Sequence, residues 1–473
     1  MDELIDITDQ IIPLDDKKYF NDDEALELYQ TCIYLMEEFI NDNPKIITEP
    51  EFEDIFDENI IELIKLHFDF DIFYNDESEE ELEDIIEKAK NDFFSYFIPI
   101  RSYPDTLILK SPDHELISSQ IIILKNKPQE KQKTEGWYKN RHNLITASNA
   151  YKAFENQTTK NQLIFEKCQP LNPSLYDNEE NEDDNKEIIM VNTNSSLHWG
   201  QKYEPLSVNI YEFTYNTKVD DFGCIQHDTY KFLGASPDGI NVDPSSDRYG
   251  RMLEIKNVVS REIDGIPKKE YWIQMQLQME VCNLDECDFL ETKFVEYSDR
   301  QDFMTDSNEL DHEDEEGNEF TNVSISKDGK MKGQIIYFHT KEGKPFYVYM
   351  PLDLIHPSDI EQWEEQTLVL YQSGPYNYTF LKTIYWKLDI VSCVLVLRNK
   401  HWFQNNINEM AELWQTVEKE RLSGYQHRAP NRKTKKENGF EIITNTKQGS
   451  GCLLQFNKDT GKITIVKKET EIL

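Results

Sequence analysis

The sequence predicts an α/β (α+β) core preceded by an acidic helical module and followed by a basic tail. Three observations carry this reading. Residues 1 to about 125 repeat apolar side chains at helical spacing among many carboxylates. From Trp137 to about Tyr297 helix-period and strand-period stretches are mixed. Two short apolar runs between 335 and 350 flank a turn, as in a hairpin. A chain of 473 residues is long enough for two or three domains and at least one sizeable core.

In the N-terminal part, Leu26, Leu28, Cys32, Leu35, Met36 and Ile40 form one apolar stripe, and Ile61, Leu63, Ile64 and Phe68 another. The formal net charge of the chain is −40, and it is unevenly placed. Residues 1–100 hold 31 acidic and 6 basic side chains, segment 171–190 carries −6 and segment 301–320 carries −9, which together account for the whole excess. The remaining chain is close to neutral and can still present a basic groove, because binding depends on local clusters rather than on the total. A solvated acidic helical module is the plain reading of 1–125; a DNA mimic or a docking surface for a basic partner is the functional one.

KNKPQEKQKTEG at 125–136 is polar, with a proline and a glycine, and sets a boundary. The main core is then expected over 131–425. The acidic stretches 176–187 and 301–320 are poor in core formers and read as disordered surface insertions. IIYFHT (335–340) and FYVYM (346–350) around KEGKP read as a hairpin, DIVSCVLVL (389–397) as a buried strand, and Trp402 to Leu422 as an amphipathic helix. HRAPNRKTKKENG (427–439) reads as an unstructured basic linker: a phosphate-touching loop, a nuclear-targeting patch or a solubilising spacer. LLQFNKDTGKITIVKK (453–468) reads as a hairpin turning at Asp459–Gly461, so 426–473 is expected to be basic linker plus hairpin.

Seven scattered cysteines contain no C-x-x-C pair, which argues against structural zinc or an iron–sulfur cluster and for buried, reduced thiols. MDELIDITDQ lacks the basic start and apolar stretch of a signal peptide, and no run approaches the ~18 apolar residues of a membrane helix. A soluble intracellular protein without a membrane partner is expected.

The sharpest local signal is GASPDGI (234–240) followed by MLEIK (252–256). In an extended strand Leu253 and Ile255 face the core while Glu254 and Lys256 share the other face. Asp238 sits between Pro237 and Gly239 at a turn leading into Ile240–Val242, and the loop DPSSDRYGR is short enough for the two strands to pair. That pairing brings Asp238 close to Glu254. Two converging carboxylates repel unless a cation lies between them; Mg²⁺ prefers such hard oxygen ligands, and a lysine beside it can orient water or steady an oxyanion. A surface Glu–Lys pair beside a turn aspartate would show the same residues.

WYKNRHNLITAS (137–148), WGQKYE (199–204), ASPDG (235–239), LEIK (253–256) and YWIQMQ (271–276), in this order, resemble the lambda-type exonuclease and YqaJ viral recombinase family of PD-(D/E)xK nucleases. The resemblance implies a restriction-endonuclease-like core with a mixed central sheet flanked by helices. It implies a metal-dependent DNA nuclease, most simply an exonuclease resecting duplex ends in viral-type recombination or genome processing. An endonuclease, or an inactive DNA-binding scaffold on the same fold, are the alternatives. Carried over residue by residue, it assigns the metal to Asp238, Glu254 and the Ile255 carbonyl, with Glu204 near a second metal position. Lys256 would position the attacking water, Gln276 would line the site, and Arg141 and Ser148 would receive the 5′ phosphate. Mg²⁺ is the implied cofactor, with Mn²⁺ as a substitute. The implied partners are duplex DNA ends and a single-strand-annealing or replication protein, and an oligomer is compatible with them. The Asn/Ile/Lys/Asp-rich composition suits an AT-rich genome such as that of a large DNA virus, which would place the protein in host cytoplasm or nucleus.

Three local expectations follow. Pro205 biases Glu204 away from the helix in which the family places it. Ile273 to Met279 alternates like a strand, but its residues are good helix formers and the family has a helix there. If 137–148 is one helix, Arg141, Ile145 and Ser148 share a face.

Overall fold

Asn21 starts the first described helix. Its side chain accepts from the N–H groups of Asp23 and Glu24, and Glu24 accepts in return from the Asn21 N–H, a capping box that satisfies otherwise orphaned donors. The computed structural model describes residues 19–67, 76–108, 113–130, 134–171, 192–193, 195–307, 311–313, 319–430, 436–437, 440–441, 453–457 and 462–466. Two units are formed, Met1–Arg428 and Ala429–Leu473.

Helix α1 (Asp22–Asp42) buries Leu28, Cys32, Leu35, Met36 and Ile40. Leu26, expected in that stripe, is 53% exposed. Helix α2 (Phe52–His67) buries Phe52, Phe56, Ile60 and Ile64, one residue in every four, so Ile61 is exposed and Leu63 half-buried, while Phe68 lies outside the described residues. Helix α3 (Asp76–Tyr96) adds Phe93 and Phe94. The rings of Phe52, Phe56, Phe93 and Phe94 meet at centroid distances of 5.1–6.1 Å. Aromatic burial of this density holds three helices together although their outer faces repel one another.

Strand β1 (Tyr103–Pro104) and helix α4 (His114–Asn126) follow. Helix α5 (Glu135–His142), capped by Thr134, ends before strand β2 (Ile145–Thr146) and the short helix α6 (Ala147–Ala150). The segment 137–148 is therefore helix, strand and helix start rather than one helix, so the shared helical face of Arg141, Ile145 and Ser148 does not form. Helix α7 (Gln157–Cys168) precedes the acidic stretch 176–187, which lies outside the described residues.

Helix α8 (Ser196–Tyr215) contains Pro205, and Glu204 is helical despite it. Proline removes one N–H from the ladder, and nearby carbonyls find side-chain donors instead: Tyr349 Oη to Lys202 O at 2.6 Å and Asn257 Nδ2 to Gly200 O at 3.3 Å. Next come β3 (Val219–Asp220), β4 (Ile225–Gln226), β5 (Leu233–Ala235), β6 (Gly239–Asn241) and β7 (Met252–Asn257). Helix α9 (Lys269–Cys282) settles the ambiguity of 273–279 in favour of helix. Strand β8 (Glu286–Glu296) is followed by α10 (Arg300–Thr305), β9 (Asp311–Glu313) and β10 (Glu319–Thr321), the last two paired antiparallel. The insertion expected to be disordered at 301–320 is thus structured in its described parts. Phe303 is buried there, and Lys332 Nζ holds the Asp306 carbonyl at 2.7 Å.

Strands β11 (Lys332–His339) and β12 (Pro345–Tyr349) form the expected hairpin. After α11 (Pro357–Gln372), strand β13 (Thr379–Leu397) is far longer than the expected 389–397, and Ile390 and Val391 are exposed rather than buried. Helix α12 (Lys400–Ser423) matches the amphipathic stretch seen in the sequence. The basic segment begins in helical order: Arg428 Nε donates to Glu420 at 2.6 Å. The second unit holds β14 (Lys436–Glu437) against β15 (Phe440–Glu441) and β16 (Leu453–Asn457) against β17 (Lys462–Val466). The expected turn at Asp459–Gly461 lies outside the described residues.

The large sheet runs β12-β11-β13-β8-β7-β6-β3, with β1 on β13. It is mixed: β7 and β8 are parallel, as a crossover through α9 requires, and the remaining neighbours are antiparallel. A smaller sheet sets β2 parallel to β5 and β4 antiparallel to it, which draws the 137–148 block against the 235–239 block. Helix α9 joins the acidic helices to the sheet. Trp272 Nε1 donates to Arg101 O at 3.0 Å, Arg101 Nη2 to Thr48 O at 3.2 Å, and Lys269 pairs with Glu49 at 2.7 Å.

Candidate active site

Strand β6 pairs with β7 through Gly239–Leu253 and Ile240–Met252, the hairpin the sequence predicts. Gly239 is needed for this approach, since a Cβ there would lie 2.1 Å from Val219 Cγ1. Asp238, one residue before β6, is thereby delivered to β7, where its Oδ2 accepts the Ile255 N–H at 2.7 Å. Leu253 and Ile255 pack on one face of β7 with Tyr211 of α8. Glu254 and Lys256 lie on the other and pair with each other. The surface Glu–Lys alternative fails on burial, for Glu254 is fully buried between sheet and α9. Lys256 rests over the Tyr271 ring, 4.9 Å from its centroid.

Charge is concentrated here. Burial and then the Glu254 carboxylate push Asp238 well above the usual carboxylate range; Lys256 acts against the push, Glu204 adds to it, and the Ile255 N–H opposes it. Burial disfavours the Lys256 ammonium, but Glu254 and Asp238 outweigh that and hold it protonated above the ordinary lysine range.

Helix α9 supplies two side chains that the sequence reading missed. Gln274 Nε2 donates to Glu254 Oε1 at 2.8 Å and Gln278 Nε2 to Glu254 Oε2 at 2.7 Å. Gln276, expected to line the site, does not. Its amide bridges the Leu397 carbonyl at 2.9 Å and the Asn399 N–H at 2.7 Å. At 100° per residue, positions 274 and 278 share a face and 276 points about 200° away from 274. The Gln-x-x-x-Gln spacing within WIQMQLQM carried that signal. Gln278 Oε1 is buried without a hydrogen-bond partner, an acceptor left over beside the carboxylates. Gln278→Leu is expected to lower catalysis about 10- to 100-fold, the scale of losing an outer partner of a ligand. Gln276→Leu should change thermal stability and leave the rate within a few-fold. Equal rate losses in the two variants would sink this assignment.

Arg141, in the last turn of α5, lies over Trp137 with its guanidinium 4.5 Å from the ring centroid and donates to Ser236 Oγ at 3.3 Å. The Ser236 carbonyl in turn receives Gln278 Nε2 at 3.4 Å. Arg141 is thus linked to Glu254 through Ser236, by its hydroxyl and its backbone carbonyl, and the Gln278 side chain. Ser148 is exposed and its Oγ sits 3.3 Å from Thr146 Oγ1. Glu204 is exposed on α8, near enough to bias Asp238. Among the described residues no group of three His, Cys, Asp or Glu side chains is placed to hold one ion.

Fold and site define a mixed α/β domain with a buried carboxylate–lysine centre at a hairpin edge. Residues 136–285 match the family model of the YqaJ-like viral recombinase domain. An uncharacterized protein of Acanthamoeba polyphaga mimivirus is 30% identical over 389 residues, covering 75% of this chain; the chain spans 64% of that relative's length. Among solved structures, the alkaline exonuclease LHK-Exo of Laribacter hongkongensis is 16% identical with a TM-score of 0.32, covering 62% of this chain and 97% of that one. A phage-related exonuclease from Haemophilus somnus 129PT is 11% identical with a TM-score of 0.28, covering 58% and 94%. Among the described residues no helix is long and apolar enough to cross a membrane.

Proposed function

We propose that this chain is a metal-dependent deoxyribonuclease that resects duplex DNA ends, in viral-type recombination or genome processing. The observation that carries the reading is the meeting of Asp238, Glu254 and Lys256 at one edge of β7, with Arg141 linked to them through Ser236. The donor set suits a hard cation: two carboxylates and the Ile255 carbonyl, with the unpartnered Gln278 Oε1 beside them. Two carboxylates plus water is the usual way Mg²⁺ is held, and no protein cage is needed. Bound Mg²⁺, or Mn²⁺, would acidify water and neutralise charge on the scissile phosphate.

The chain's own residues do the rest. Gln274 and Gln278 hold both oxygens of Glu254, and the Ile255 N–H fixes one oxygen of Asp238, leaving its second oxygen for a ligand. Lys256, kept protonated, places positive charge where the pentacovalent oxyanion forms and can orient the attacking water. Arg141 offers a guanidinium to a terminal phosphate, whose second negative charge favours an end over an internal diester. Resection of this kind leaves single strands, so an annealing or replication protein is the partner class it implies.

The test is release of label from an end-labelled duplex and from a covalently closed circle, each with Mg²⁺ and with EDTA. Metal-dependent release from the duplex alone is expected. Cutting of the circle would make the protein an endonuclease, and no cutting of either would make it a DNA-binding scaffold.

A further inference from the structure

The last turn of α5 carries Arg141, and two cations from outside that helix hold its end. Lys167 of α7 donates from Nζ to the Arg141 carbonyl at 2.9 Å. Arg421 of α12 donates from Nη2 to the His142 carbonyl at 3.0 Å and from Nη1 to Asn143 Oδ1 at 3.0 Å. The same guanidinium reaches the Lys167 carbonyl twice, at 2.9 and 2.8 Å, and lies 5.3 Å from the centroid of the Trp414 ring. The C-terminal carbonyls of a helix lack partners within the helix, and cations there are favoured by the helix dipole. Capping alone would explain the contacts.

It does not explain the charge. Lys167 is 4% exposed, yet its ammonium hydrogen-bonds a neutral carbonyl and forms no ion pair among the described residues. Burial, together with nearby Arg141, Lys152 and Arg421, pushes it down to about 8, with Glu166 alone acting the other way. Arg141 likewise pairs with no carboxylate there; a hydroxyl and an indole face it. A chain of net charge −40 has carboxylates in excess, so two adjacent cations without an acidic partner form a place that an anion would neutralise. A buried cation left unpaired is costly, and a bound dianion removes that cost.

We propose that Lys167 and Arg421 are positioning residues for the DNA end: they lock the last turn of α5 so that Arg141 meets Ser236, and Lys167 supplies the second positive charge that favours a 5′-phosphorylated terminus. The inference rests on the reading of Arg141 as the end-phosphate contact. Arg421 lies well outside residues 136–285, so α12 becomes part of end recognition.

Binding measured in EDTA separates the two ideas, because it requires no cutting. The affinities of a fluorescent duplex with 5′-phosphate ends and of its 5′-hydroxyl twin are compared for the wild type, Arg141→Ala, Lys167→Met, Lys167→Arg and Arg421→Gln. The wild type is expected to prefer the phosphorylated duplex by about tenfold, the scale of one charge-assisted hydrogen bond. Arg141→Ala and Lys167→Met should bring the ratio close to one, Arg421→Gln should lower it, and Lys167→Arg should keep most of it. A merely structural cap would weaken both duplexes alike and leave the ratio unchanged. No preference in the wild type, or an unchanged ratio in Arg141→Ala, overturns the end-phosphate reading and the inference with it. A lost ratio in Arg141→Ala with an unchanged one in Lys167→Met and Arg421→Gln overturns the inference alone. Should Lys167→Met fail to fold, the half-buried Arg421 decides by itself.

Discussion

Asp238→Asn, Glu254→Gln and Lys256→Ala are each expected to reduce DNA cleavage at least ~100-fold, since each removes a cation ligand or a charge that the transition state needs. Their stabilities should diverge, and that divergence tests the site independently of activity. Asp238 is raised by burial and by Glu254, so the folded chain binds its proton more tightly than the unfolded chain. Its contribution to stability is full below the ordinary carboxylate range and is lost as pH rises through the raised folded value. Asp238→Asn should therefore flatten the fall of the thermal midpoint with rising pH and be the more stable protein at pH 8. Glu254→Gln should be less stable, because Lys256 loses its pairing carboxylate while Gln274 and Gln278 lose a charged acceptor. Activity in Mg²⁺ and thermal midpoints between pH 5 and 9 are the measurements. Near-wild-type cleavage in any one variant would falsify the assignment of that residue.

Removal of residues 1–112 is the second large effect expected. The aromatic cluster of α1 to α3 belongs to the same apolar core as Trp272 and Trp402. Cutting it away leaves the buried Trp272 N–H without its partner Arg101 and takes Glu49 from Lys269, which keeps Glu155, and a buried group left unsatisfied costs about 1–3 kcal/mol. The shortened protein should melt more than ~10 °C lower, or precipitate, because several kcal/mol are lost at once. Circular dichroism melts of the two proteins decide. An unchanged midpoint with cleavage retained would show the acidic helices to be a separable domain, as the polar stretch 125–136 suggests when read alone.

Much of the site was legible because its chemistry is local. The strand period placed Glu254 and Lys256 on one face of β7, and the short loop 243–251 made the β6–β7 hairpin the economical pairing, which carried Asp238 to Ile255. The acidic helices were legible as helices, but which side faces inward was not. Leu26 and Ile61 belonged to plausible stripes and are exposed, because the neighbouring helices select the face. Length misled at 389–397: the register of β13 against β11 and β8 extends it to Thr379–Leu397, through residues whose own pattern is weak.

By itself, then, the sequence determined the α/β class, the acidic charge of the helical module, the hairpins, and the Asp238, Glu254 and Lys256 set, all properties written within some twenty consecutive residues or in composition. Tertiary structure alone decided that Gln274 and Gln278 rather than Gln276 hold Glu254, since that depends on how α9 is rotated against β7. It alone brought Ser236 to Arg141 through the parallel pairing of β2 with β5. It alone set Lys167 and Arg421, 254 positions apart in the chain, on one helix end. Local side-chain periodicity encodes which residues share a face, whereas the partner of that face is chosen by packing between segments remote in sequence.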